Sequence, residues 1–164
     1  MKIATWNVNS LKMRLPHVLD WLDLTKTDIL CLQELKMTDE LFPIEAIEDK
    51  GYGALWCGQK TYNGVAILYR KETCGTPKDI VKNIPNFEDE QKRLIAATIP
   101  TKTAELRVVC GYFPNGAEVD SDKFAYKLAW LSALTEWLKG ELNQHPKLLL
   151  LGDFNIAPDD RDVW

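Results

Sequence analysis

Residues 2–34, KIATWNVNSLKMRLPHVLDWLDLTKTDILCLQE, hold two short apolar segments with a helical stretch between them. The first, KIATWNV, alternates apolar and polar side chains from Ile3, the period of a half-buried strand. Leu11, Leu15, Val18, Leu19 and Leu22 then follow helical spacing, with Ser10 placed to cap the start. Pro16 lacks an amide hydrogen and fits only near a first turn, so a regular helix is predicted from Arg14 or Leu15. DILCLQE is a continuous apolar run that ends in polar residues, the pattern of a strand covered on both faces. Strand, helix and strand within this span predict a βαβ unit with parallel strands.

Outward from that unit, Asp39 to Lys50 is a short helix candidate stopped by Gly51. YGALWCGQK and GVAILYRK read as a hairpin, with Asn63-Gly64 supplying turn chemistry. RLIAATIP and LRVVCGYFP predict a second antiparallel pair. Asp120 to Asn143 is the longest helix, with Phe124, Leu128, Leu131, Leu138 and Leu142 on one face and Pro146 beyond its end. KLLLLGDF is the last strand. The expected fold is α/β: one domain, residues 1–164, built on a mixed sheet of six or seven strands with three helices on one face. The other sheet face would be apolar and bare, a larger exposed patch than monomers tolerate. The chain is therefore expected to pack against another sheet or to be a portion of a larger domain.

The 164 residues suit a single domain with a sizeable core, at 46% apolar and 27% charged. A net charge of −4 excludes an all-over basic polyanion binder, though not a local basic groove. Cys31, Cys57, Cys74 and Cys110 form no CxxC pair and no zinc-ligand spacing with His17 or His145. They read as reduced thiols, which suits the cytoplasm. The chain enters a strand pattern at once, with no signal peptide in view, and no apolar run approaches the ~20 residues of a membrane span.

Three predicted strands end in polar groups: Asn7 and Asn9, Gln33-Glu34, and Asp153 with Asn155. Parallel strands bring their carboxyl ends to one rim, where α/β sheets bind ligands. Asp153 and Asn155 alternate to the same side. Two carboxylates with amide oxygens form a hard oxygen set, suited to magnesium or manganese and not to zinc. Taken singly, each residue has a plainer reading. Asn7 could cap the following helix, Glu34 could be solvated, and Asp153-Phe-Asn could be a turn. The conjunction of three strand ends with the same chemistry argues for a site. Tyr112 and Asn115 in GYFPNG follow another strand, and the Pro-Asn-Gly there makes a turn in either case. Lys36, Lys60, Lys92 and Arg93 are a potential basic rim, each equally readable as solvated charge. Neither histidine has a local Ser-His or Cys-His arrangement.

At these residues the sequence resembles a known family. MKIATWNVNSLKMRLPHVLDWL, DILCLQELK, YNGVAIL, GYFPNG, KFAYKLAWL and LLLLGDFNIAPDDRDV are similar, in order, to the exonuclease III branch of the endonuclease/exonuclease/phosphatase superfamily. The resemblance implies a four-layer α/β/β/α sandwich. It implies a Mg²⁺-dependent phosphodiesterase of DNA repair, with Mn²⁺ as the alternative ion, acting on duplex DNA 5′ to abasic sites and from 3′ ends. By resemblance Glu34 binds the metal with Asn7 beside it, and Asp153 orients or deprotonates the attacking water. Asn155 holds the scissile phosphate or the metal, Tyr112 contacts the phosphate, and Arg93 and Asn115 touch the DNA backbone.

The family pattern continues beyond Trp164 with an ending in which an Asp orients a catalytic His. His17 and His145 sit in the wrong motifs for that His. The chain is thus expected to be an N-terminal portion of the family domain. It would be completed by a C-terminal half or self-associate through the bare sheet. The rival expectation is a half-domain that binds DNA without cutting it.

Overall fold

The computed structural model describes residues 1–162. Strand β1 (Ile3–Asn7) runs parallel to β2 (Ile29–Gln33), and helix α1 (Leu11–Thr25) connects them. The helix starts at Leu11, earlier than Pro16 led us to expect. Pro16 lies inside it and removes one backbone hydrogen bond, while burial of Leu11, Val18 and Leu22 against the sheet holds the turn. Ser10 makes no side-chain cap. A 3-10 turn (Asp39–Leu41) and the short helix α2 (Ile44–Glu48), separated by Pro43, replace the single helix expected before Gly51.

Strands β3 (Tyr52–Cys57) and β4 (Val65–Arg70) are antiparallel, and β4 also pairs antiparallel with β2. The first sheet therefore has the order β1-β2-β4-β3. A second sheet has the order β5-β6-β7-β8, from β5 (Lys78–Lys82), β6 (Leu94–Pro100), β7 (Glu105–Tyr112) and β8 (Leu148–Asp153). Here β7 and β8 are the parallel pair, joined through helix α3 (Asp122–Gln144).

The strand periods explain how these parts stack. In β2, Leu30 and Leu32 point toward Val18 and Leu22 of α1, while Ile29 and Cys31 point into the gap between sheets. In β6, Ile95, Ala97 and Ile99 enter the same gap, and Leu94 and Ala96 turn outward to meet Trp130 and Leu134 of α3. The result is four layers, helix, sheet, sheet, helix. This corrects one expectation. The strands do not form one sheet with a bare face, because each sheet covers the inner face of the other. Among the described residues each sheet ends in two edge strands, β1 and β3 in the first and β5 and β8 in the second, and β1 and β8 are the edges nearest the site.

Two smaller corrections concern charge and phase. β5, KDIVK, is an exposed edge strand whose charges hid it from the alternation rule. On α3 the buried residues are Lys127, Trp130 and Leu134, whereas Leu128 and Leu142 are 52% and 53% exposed. All four cysteines are free and buried. Among the described residues no helix is long and apolar enough to cross a membrane.

Candidate active site

Each sheet contains one parallel pair, and the registers align the ends of both. Asn7 is opposite Gln33 in the first sheet, and Tyr112 is opposite Asp153 in the second. Stacking the sheets brings these carboxyl ends to one rim. There the Asn7 amino group donates to Glu34 Oε1 at 2.8 Å and to Asp153 Oδ2 at 2.8 Å. The Tyr112 hydroxyl donates to the same Glu34 oxygen at 2.9 Å. One amide thus ties together a carboxylate from each sheet, 146 residues apart in sequence along the second bond.

Local backbone explains why Glu34 points there. Glu34 and Lys36 are both left-handed, at φ 57 and φ 54, a conformation that ordinary side chains avoid. The neighbours hold it: Ser10 N donates to Glu34 O at 2.8 Å, and Leu35 N and Lys36 N donate to Gly64 O and Asn63 O at 3.2 and 3.0 Å. The Asn63-Gly64 turn seen in the sequence thus braces the segment that carries Glu34. The Lys36 ammonium lies 2.9 Å from Glu34 Oε2 and also donates to Asn9 Oδ1.

Burial pushes the Glu34 carboxyl upward, but hydrogen bonds from Asn7, Lys36 and Tyr112 outweigh it and hold its pKa below the ordinary value. The Tyr112 phenol is pushed up to about 12, first by burial and then by its bond to Glu34. Tyr112 is therefore a hydrogen-bond donor near neutral pH, not a base.

Asp153 is fixed at both oxygens, since Oδ1 accepts from Asn155 N at 3.0 Å. Asn155 itself is left-handed, φ 48, and its side-chain amide donates to Phe113 O at 2.9 Å. Its carbonyl accepts from Lys127 Nζ at 2.8 Å. Arg93 supports the tyrosine. Its guanidinium donates to Tyr112 O at 3.2 Å, sits 5.0 Å from the Tyr112 ring centre, and donates twice to Gln91 Oε1. Asn115 is not gathered into this cluster. It is exposed and accepts from Ala117 N at 3.0 Å, which closes the Pro-Asn-Gly turn.

The oxygens fit a hard, water-rich cation better than a caged one. Among the described residues no group of three His, Cys, Asp or Glu side chains could hold a metal. The outer Glu34 oxygen and Asn9 Oδ1 already share a cationic group, the Lys36 ammonium, so this edge of the rim attracts positive charge. Two carboxylates, Glu34 and Asp153, with nearby amide oxygens are a sparse set of the kind that suits a hard divalent cation keeping several waters and leaning on substrate phosphate. Asn7 departs from its expected part as a neighbouring ligand. Its amino group faces both carboxylates, and its oxygen accepts from Asn9 N at 3.0 Å.

Residues 4–164 match the Endonuclease/Exonuclease/phosphatase family. The chain belongs to that family. It is 38% identical to exodeoxyribonuclease III of Haemophilus influenzae, over 99% of this chain and 60% of that protein. It is 31% identical to the DNA repair nuclease APEX1 of Danio rerio, over 99% of this chain and 51% of that one. Among solved structures it superposes with a TM-score of 0.89 on the 3′ phosphatase NExo from Neisseria bound to a product DNA hairpin, at 48% identity, over 98% of this chain and 60% of that one. An AP endonuclease from Archaeoglobus fulgidus also gives 0.89, at 37% identity, over 100% of this chain and 61% of that one. The chain thus spans about three fifths of the length of exodeoxyribonuclease III and of these two structures.

Two contributors to the site lie outside the strand-end residues. Lys36 reads from the sequence only as rim charge, because its pairing with Glu34 depends on two left-handed residues. Lys127 did leave a signal, since it is in helical phase with buried Trp130 and Leu134.

Proposed function

We propose that this chain carries much of the site of a Mg²⁺-dependent DNA phosphodiesterase of base-excision repair, with Mn²⁺ able to substitute. The observation that carries the proposal is the Asn7 amide joining Glu34 of one sheet to Asp153 of the other. The substrate is duplex DNA with abasic sites or 3′ ends, met in the cytoplasm.

The residues have separate parts in this reading. Glu34, oriented by the Asn7 amide, with Asp153 and Asn155 across the rim, would hold the ion, which would supply positive charge to the non-bridging oxygens of the scissile phosphate. Asp153, fixed by Asn7 and by the Asn155 amide, orients a water and accepts its proton. Asn155 reaches the phosphate by turning its amide from Phe113 O. Tyr112, kept protonated by burial and by Glu34, donates a hydrogen bond where negative charge develops. Arg93 steadies Tyr112 and, with exposed Asn115, lies against the DNA backbone, where contacts position without reading sequence.

The test is cleavage of two duplexes, one with a single abasic site and one with a 3′-phosphate end, with and without Mg²⁺. The proposal expects Mg²⁺-dependent cutting or phosphate release that is lost in Asp153→Ala. Metal-independent cutting, or cutting retained in Asp153→Ala, would overturn it. The relative rates on the two duplexes assign the balance between abasic-site and 3′-end chemistry.

A second reading has its own observation. β1 and β8 are open edges on one flank, and all six β8 residues are only half-buried. Such edges accept further strands. A C-terminal half supplied separately, or a second copy, would pair there, and the chain alone would bind DNA without cutting it. Binding that weakens with salt, with cleavage only after a C-terminal segment is added, supports this version.

A further inference from the structure

Lys127 is 8% exposed, on the buried face of α3 between the helix and the loops that leave β7 and β8. Its stem packs against the loop after β7: a Cβ on Gly116 would lie 3.1 Å from Lys127 Cδ. Its ammonium donates to Asn155 O at 2.8 Å. Among the described residues it makes no ion pair. Buried lysines are ordinarily paired with carboxylates, and an ammonium resting on a neutral carbonyl is poorly compensated for its lost hydration. A methionine of similar shape would fill the space with less desolvation. Lys127 is therefore badly explained as a packing residue.

What it holds is the carbonyl of Asn155, the left-handed residue whose N–H fixes Asp153. We propose that Lys127 is a positioning residue: its ammonium locks the Asp153–Asn155 turn from below, and its stem aligns the loop after Tyr112 with that turn. This rests on the phosphodiesterase reading for its consequence in catalysis, but the lock itself is independent of it. The Lys127 charge also lies beneath the rim where a phosphate would arrive.

The test uses the full chain and the variants Lys127→Met and Lys127→Arg. Amide exchange followed by NMR should show Asn155 exchanging at least tenfold faster in Lys127→Met, with Trp130 and Leu134 in α3 unchanged. Lys127→Arg, which keeps charge and reach, should restore protection. The Lys127→Met melting temperature should equal or exceed that of the parent. In the cleavage assay kcat should fall at least tenfold with KM changed less than twofold, and Lys127→Arg should recover most of it. Unchanged Asn155 exchange overturns the proposal. So does a Lys127→Met chain that fails to fold, because Lys127 would then be a determinant of the fold. If the parent chain cleaves neither duplex, the proposed function fails, and Asn155 exchange alone decides the part of Lys127.

Discussion

Replacing Asn7 by Ala removes the one group that, among the described residues, bridges the two carboxylates. Two hydrogen bonds of 2.8 Å to Glu34 and Asp153 are lost together. Bonds to ionised acceptors contribute about 1.5–3 kcal/mol each, and a half-exposed rim puts these at the lower end, about 3 kcal/mol in all. The carboxylates would then face each other unscreened by a donor. At about 5 Å and an effective dielectric of 20 that repulsion is about 3 kcal/mol, and much of it relaxes as the side chains turn to solvent. The expected loss is about 3–4 kcal/mol in urea unfolding near pH 7. The loss should depend on pH in one direction. The native fold holds Glu34 below its ordinary pKa of 4.5, so this stabilisation is present above that value and fades as pH falls through the folded value. Asn7→Ala should therefore approach the parent in stability at acid pH. A loss under about 0.5 kcal/mol at pH 7, or one that does not shrink on acidification, would refute the bridging role.

Tyr112→Phe should lower cleavage by about a hundredfold, the loss typical of one oriented donor. Because the folded phenol titrates near 12 rather than 10, the parent should lose stability as pH rises between these values, and Tyr112→Phe should not. Gly152→Ala should destabilise by more than about 3 kcal/mol in denaturant unfolding. Its Cβ would fall 1.8 Å from Gly111 O, where β8 runs beside β7. Arg107 and Glu141 form an ion pair with side chains 2% and 11% exposed, and Arg107 also donates to Asp79 O at 2.6 Å. Glu141→Ala should cost about 3–5 kcal/mol by leaving that guanidinium buried without a counter-charge, measured by chemical denaturation.

The βαβ opening was legible because its two periods are unambiguous and its connection is short. The division into two sheets was not. A strand such as DILCLQE shows that both faces are covered, but what covers them is a matter of tertiary structure. β5 escaped notice because Lys78, Asp79 and Lys82 break the alternation on an exposed edge. α1 kept Pro16 because sheet contacts offset one missing hydrogen bond. At the site, strand-end chemistry places Asn7, Glu34 and Asp153 on one rim from the sequence, since parallel strands end together, whereas the part of Tyr112 rests on the family resemblance. Asn115 shares that neighbourhood in sequence, yet its side chain is used by its own turn. The Lys36 contact with Glu34 and the Lys127 contact with Asn155 depend on left-handed backbone at Glu34, Lys36 and Asn155, which residue spacing does not encode.

The central claim is that Glu34, presented by Asn7 across the two sheets, makes this rim a divalent-cation site. Titration of the chain with Mn²⁺, followed by electron paramagnetic resonance of the free ion, tests it most directly. One weak site is expected, displaced by Mg²⁺, abolished in Glu34→Gln, weakened in Asn7→Ala and unchanged in Asn115→Ala. Mn²⁺ binding that is the same in Glu34→Gln as in the parent would contradict it.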